Sequence, residues 1–207
     1  MKLKITDFTD VEIINNLTNH YQNCSSDELL EGLMWYSDAQ KFVFETHAIF
    51  ENRIEGLTRY RVAATVSALS PNNKWARNKV DTITVLTAVA EGLSPDSIKV
   101  CTYNANKFKA FGCAQGSIEI SAKSPKTHAF AMNVGLNSPE HITVDKWHIR
   151  ACLTSPEQGV VDTVESCTPV QYRRIEALTA TVAHNLGMRG YEFQASVWLE
   201  IKRVWNR

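Results

Sequence analysis

No stretch of the chain reaches the roughly 18 consecutive apolar residues that a membrane-spanning helix needs, so no membrane partner is expected. The N-terminal residues MKLKITDFTDVEI carry acidic side chains where a secretory leader needs an apolar core, and cytoplasmic residence is the expectation. Close cysteine pairs are missing too. Cys24, Cys101, Cys113, Cys152 and Cys167 are too widely spaced for a CxxC knuckle. Their odd number and spacing point to reduced, mostly buried thiols, and neither a disulfide, a bound metal nor another cofactor is expected. There is no internal repeat and no low-complexity tract, which excludes solenoids and flexible tails of biased composition.

Net charge is absent as well, with 22 basic and 22 acidic residues, which excludes a uniformly basic nucleic-acid binder. The charges are unevenly distributed, however. Residues 1–56 carry 4 basic and 10 acidic side chains, whereas residues 98–150 carry 7 basic and 3 acidic ones. A local field on the second segment can attract phosphate although the whole molecule is neutral. The acidic N-terminal lobe would suit a protein partner or a surface that mimics nucleic acid.

Strand-like runs are few, and the apolar residues recur mainly at three- and four-residue spacing, which predicts an all-α protein of eight to ten helices. A Thr9-Asp10 cap opens a helix to about Asn23, with Val11, Ile14, Leu17 and Tyr21 on one side. A second helix starts near Ser25 and continues, or restarts after Ser37-Asp38, towards Arg53. His20 and His47 read as surface or core residues rather than ligands. Further helices are predicted over 57–69, 78–91 and 104–114, the last with Phe108 and Phe111 inward, and turns at 70–74 and 94–96. Thr168-Pro169 begins a long helix stopped by Gly187, and residues 191–205 form the last, with Phe193, Val197, Trp198, Ile201 and Trp205 on one stripe.

The remaining stretch, residues 121–150, organises the rest. Lys126 opens an apolar helical run (THAFAMNVGL), a loop follows, and a short extended piece, Ile142-Thr143-Val144, ends on Asp145. Asp145 begins another helical run over 146–153. A lysine and an aspartate, 19 residues apart, each stand at the mouth of a helix.

Lys126-Thr127-His128-Ala129 and Val144-Asp145-Lys146-Trp147-His148-Ile149-Arg150 resemble the Lys-Thr-Ala and Val-Asp-Thr-His-Val-x-Arg elements of the helix-hairpin-helix DNA glycosylase superfamily, endonuclease III-like branch. VSALSPNNKWARN (66–78) is similar to that family's Leu-Ser-x-Gln-x-x-Asp region, and TYNANKFKAF (102–111) to its Gly-Phe-Tyr-x-x-Lys-Ala segment. The resemblance covers roughly residues 57–153. It implies a single two-lobed helical glycosylase-like domain over 1–207, with 57–153 as its core and 1–56 and 154–207 as packing helices. It also implies DNA as partner, with a flipped or modified base as substrate. The family's C-terminal iron–sulfur cluster is not expected, because no cysteine follows Cys167.

The resemblance assigns Asp145 to stabilising the sugar cation or activating water as the base–sugar bond breaks, and Lys126 to a Schiff-base nucleophile. Amide donors would hold Asp145 ionised, while a helix N-terminus and burial would push the Lys126 amine towards neutrality. The two are expected to meet at one opening. Asn72, Asn73, Trp75, Tyr103 and Trp147 are the candidates for the base pocket, with Trp75 in the loop on the substrate side, and Trp198 a further aromatic candidate. Where the family hairpin carries glycines, this chain reads Ala122-Lys123-Ser124-Pro125, so Lys123, Ser124 and Lys126 or the first amides of the new helix would hold phosphate instead. Lys107, Lys109 and Lys146 complete the candidate phosphate contacts. Plainer readings coexist: Asp145 as a helix cap, Lys126 as a surface lysine, the tryptophans as core and the asparagines as turn formers. Two other functions also remain open: a phage DNA base-hypermodification enzyme of the same fold, whose setting would be the host cytoplasm, and a non-catalytic DNA- or protein-binding module.

Overall fold

The structure, a computed structural model, describes residues 2–205 apart from Cys101. Among the described residues it is all-α. The helices are α1 (Asp10–Gln22), α2 (Ser26–Phe50), α3 (Arg59–Leu69), α4 (Trp75–Ala90), α5 (Asn104–Gln115), α6 (Pro125–Leu136), α7 (Lys146–Leu153), α8 (Pro169–Asn185) and α9 (Gly190–Trp205), with one single-turn 3₁₀ segment before α1 and two between later helices. The chain divides into two compact units, one of Met1–Ser37 with Pro139–Arg207 and the other of Asp38–Ser138.

The first unit is built on the amphipathic periods of α1, α7, α8 and α9. Ile13 and Leu17 of α1, Ile149 and Leu153 of α7, Ile175 of α8, and Phe193, Val197 and Ile201 of α9 form its core. The α1 stripe is rotated from the expected one, since Val11 is exposed and Ile13, Leu17 and His20 are inside. His20 can occupy that place because both ring nitrogens face acceptors: Nδ1 lies 2.6 Å from Glu200 Oε2 and Nε2 lies 2.9 Å from the Thr154 carbonyl. Asn23 and Arg203 hold the other carboxylate oxygen at 2.5 and 3.9 Å, so the buried charge is paired. The helix starts follow the predicted caps. Thr9 and Thr168 form capping boxes with Glu12 and Gln171, and Pro169 occupies the first turn of α8.

In the second unit α3 is the central element. Every residue of it from Val62 onwards is buried, because Ala63, Ala64 and Ala68 let α5 and α6 approach closely. The Arg61 guanidinium donates to the carbonyls of Cys113 and Ala114 at the C-terminal end of α5 and to those of Glu55 and Gly56, satisfying groups that a helix end leaves open. Tyr60 and Ser67 donate to the Ile120 and Thr127 carbonyls at 3.0 and 2.7 Å, fixing the α5–α6 connection against α3.

The second helix continues unbroken through Ser37-Asp38, the first of the two courses expected for it. Two local expectations change. Helix α4 begins at Trp75, three residues before the expected start, so Trp75 is a first-turn helical residue and not part of the loop. On α5 it is Phe111 and Lys107 that turn inward, while Phe108 is 46% exposed. The Lys107 stem can cover apolar surface while its amine reaches the Ile98 carbonyl at 3.3 Å and Asp96 at 4.0 Å.

Gly32 of α2 lies against α9, where an added Cβ would stand 2.2 Å from Ser196 Oγ and 2.6 Å from its Cα. Backbone cannot yield as a side-chain tip can, so Gly32→Ala is expected to lower stability by about 1–3 kcal/mol, read from the urea-denaturation midpoint.

Candidate functional site

In the first unit the site is built around the segment leading into α7. Residues 142–144 are buried and belong to no helix or strand. The Tyr172 phenol pairs with their backbone: it donates to the Ile142 carbonyl at 2.7 Å and accepts from the Val144 amide at 3.1 Å. This fixes the approach to Asp145, whose Oδ1 accepts from the amides of Trp147 and His148 at 3.0 and 2.9 Å, as a helix cap does. The carboxylate is half-buried.

Two other side chains of the unit sense that charge. Tyr36, buried on α2, donates to Gln194 Oε1 at 2.9 Å. Burial holds its phenol above the ordinary tyrosine range; a hydrogen bond with Thr143 opposes this and the Asp145 charge adds to it. Lys202 of α9 is the second. Burial pushes its amine below the ordinary lysine range, while Asp145 and Glu31 pull it back. Its Nζ lies 3.8 Å from the centroid of the Trp198 ring, and Trp198 tilts against Trp35 with centroids 6.3 Å apart.

His148 was expected at most to bond locally. Instead it is fully buried and reaches α8, with Nε2 2.8 Å from Thr179 Oγ1. Thr179 donates to the Ile175 carbonyl, so His148 is the donor and carries its proton on Nε2. That leaves Nδ1 as a buried acceptor without a partner. Burial, with the charge of His20 adding to it, pushes the imidazole down to about 3.

Trp147 is half-buried, with the Lys146 amine 5.4 Å and the Arg150 guanidinium 4.5 Å from its ring. Arg150 also lies 5.2 Å from the Trp205 ring and pairs with Glu165 at 2.5 Å.

Lys126 belongs to the second unit. It stands exposed in the first turn of α6, beside exposed Lys123 and Ser124, and the burial expected around it is absent. Ser124 makes no side-chain cap there and Pro125 has no N–H. Among the expected phosphate contacts, Lys107 is the least accessible at 7%, and Lys109 is half-buried. The base-pocket candidates separate. Asn72 and Tyr103 come together: Asn72, with a left-handed φ of 56°, donates from Nδ2 to the Tyr103 hydroxyl at 2.8 Å, and Tyr103 is 62% exposed. Asn73 instead donates to the buried Asp81 at 2.9 Å, opposite Arg77 at 2.8 Å. Trp75 packs edge-on against Phe42, with ring centroids 5.8 Å apart.

Reading the sequence missed Lys202, Tyr36 and Trp35. Lys202 had a signal, since it lies four residues after Trp198 on the last helix. The other two had none, because only folding brings α2 to α9.

Among the described residues no cluster of three or more potential ligands could hold a metal ion, and no helix is long and apolar enough to cross a membrane. Cys24, Cys113, Cys152 and Cys167 are unpaired, and Cys101 lies outside the described residues. The chain belongs to the family of unknown function DUF7178, whose model matches residues 1–204. No curated protein and no solved structure matches it.

Two outcomes are expected from this geometry. Tyr172→Phe leaves a buried amide and carbonyl unpaired, and should cost about 1–3 kcal/mol and speed hydrogen exchange at Val144. His148 is disfavoured as a cation in the folded state, so the unfolded chain binds its proton first. Its contribution is complete above pH 6.5 and declines on acidification towards about 3, by up to about 1.4 kcal/mol per pH unit. Urea midpoints between pH 7 and 5 should therefore fall less steeply in His148→Gln.

Proposed function

We propose that this chain cleaves a base–sugar bond in DNA, in the manner of the helix-hairpin-helix glycosylases its sequence resembles, with Asp145 as the catalytic carboxylate. The observation that carries this reading is the placement of Asp145: half-buried, held by two helix amides at 2.9–3.0 Å, and close enough to a buried phenol and a shielded amine to act on both.

The leaving base draws the glycosidic electron pair with it, and positive charge builds on the sugar. A preoriented carboxylate stabilises that charge without reorganising, and it can take a proton from an attacking water. Half-buried Trp35, which tilts against Trp198, supplies aromatic surface for a nucleotide. Taken by itself, the second unit carries exposed Lys123 and Lys126, which can meet phosphate, and an exposed Asn72–Tyr103 pair. Lys126 is the amine that the family resemblance assigns to Schiff-base chemistry. A modified base as substrate, including one handled in base hypermodification, falls under the same chemistry. A second reading, a module that binds a protein partner, is favoured by the exposed Leu30, Leu33 and Met34 on α2, which lie among Asp27, Glu31 and Asp38.

Asp145→Asn separates capping from catalysis, because asparagine caps a helix about as well as aspartate. Chromatography of bases released from single- and double-stranded oligonucleotides bearing uracil, alkylated and oxidised bases should show release by the native chain. Release should fall at least about 100-fold in Asp145→Asn while the thermal midpoint stays unchanged. Equal release by both proteins, or no release by either, removes Asp145 from this role.

A further inference from the structure

The first half of α2 is apolar on two sides. Its inner side packs on α9: Gly32 meets Ser196, Tyr36 donates to Gln194 at 2.9 Å, and Glu28 accepts from the Arg203 guanidinium at 2.6 Å. At 3.6 residues per turn, Leu30 and Met34 then project away from α9, with Leu33 beside them. These three are 64%, 50% and 40% exposed. Single apolar residues on a surface are ordinary, but three that adjoin at i, i+3 and i+4 form a ridge that fits the groove of another helix. One edge of the ridge is acidic. Asp27 and Glu31 are exposed there, and no ion pair holds either among the described residues. Lys202 senses Glu31, but its amine rests on the Trp198 ring at 3.8 Å. Trp35 follows on the same edge, half-buried and tilted against Trp198 with centroids 6.3 Å apart.

We propose that this face of α2 docks a cationic amphipathic helix of a protein partner, with its apolar stripe on Leu30, Leu33 and Met34 and its lysines or arginines beside Asp27 and Glu31; this rests on the protein-partner reading above and is independent of any chemistry at Asp145. The charge identifies the occupant. Residues 26–37 hold three acidic and no basic side chains. An anionic helix laid on the ridge would set like charges together, and a neutral one would strip water from two carboxylates and give nothing back. A cationic helix offsets that loss and is drawn towards the face before contact. The same charges disfavour a second copy of this chain. A two-fold contact through this face is self-complementary, so it would gather both copies of Asp27 and Glu31 into one interface with no cation between residues 26 and 37 to offset them. Met34 suits the role, because its unbranched thioether adapts to the shape of a partner. Trp35 adds aromatic surface at the rim, of the kind that anchors interfaces.

Titration of the full chain into a labelled helical peptide of about 18 residues, with leucines at i, i+3, i+4 and i+7 and lysines along both edges of that stripe, tests this. Fluorescence anisotropy reads the affinity, and amide chemical shifts of the chain locate the contact. Two further peptides serve as controls, one with glutamate for every lysine and one of the same composition scrambled so that the leucines form no stripe. The lysine peptide should bind at least about tenfold more tightly than either control, with shifts centred on residues 27–37 and affinity falling as salt rises. Leu30→Ser combined with Met34→Ser should weaken binding at least about tenfold and leave the circular dichroism unchanged, since both side chains are exposed. Asp27→Lys combined with Glu31→Lys should turn the preference to the glutamate peptide. Equal binding of the scrambled peptide, or shifts centred elsewhere, overturns the proposal. Binding of the glutamate peptide to native α2 as tightly as the lysine peptide overturns the cationic occupant and leaves the partner reading standing. Self-association in sedimentation that the Leu30→Ser and Met34→Ser pair abolishes makes the occupant a second copy and also overturns it. Binding of no peptide, by a chain that stays monomeric, removes both the proposal and the partner reading.

Discussion

The hydroxyl of Tyr172 holds the arrangement on which the site in the first unit depends. Residues 142–144 are buried outside any helix or strand, a state that ordinarily leaves backbone groups unpaired at considerable cost. One phenol, donating to Ile142 and accepting from Val144, takes the place of a neighbouring strand. The chain then enters α7 in a fixed direction, and Asp145 arrives at the helix mouth with its carboxylate already engaged by two amides. Tyr172 belongs to the same buried core as Ile175 and Ile149, so the packing that stabilises the unit also sets the carboxylate.

Two sets of buried polar groups tie the helices of that core together. The His20–Glu200 pair ties α1 to α9 and, through the Thr154 carbonyl, to the end of α7. His148 ties the start of α7 to α8 through Thr179, at the cost of a ring nitrogen left without a partner. A buried polar network of this sort contributes little net stability compared with an apolar replacement, but removing one member strands the others. The α7 helix is short, and these bonds from both sides account for its fixed placement within the unit better than its own propensity does.

Much of the secondary structure was legible in the chain. Thr9, Asp145 and Thr168 cap the helices they were expected to cap, and Gly116 and Gly187 follow the ends of α5 and α8 with positive φ. Caps and breakers act over one turn, so a local reading finds them. The errors lie where a local reading has no purchase. Lys107 and Phe108 are adjacent on α5, and propensity put the phenylalanine inside; the fold put the lysine there because Asp96 and the Ile98 carbonyl could receive its amine. The α1 stripe turned by a residue because Glu200, 180 residues away from His20, was available to pair it.

For the candidate site the division is sharper. The sequence alone determined that the protein is helical, that Asp145 would stand at the start of a short helix, and that Lys126 would open another, because each depends on neighbours within a few residues. Only the tertiary structure decided that Lys126 is exposed, that Asn72 meets Tyr103 across 31 positions, and that Trp198 of α9 leans on Trp35 of α2. Burial and electrostatic proximity are properties of the packed chain, set by which helices share a core, and no window of sequence contains both partners.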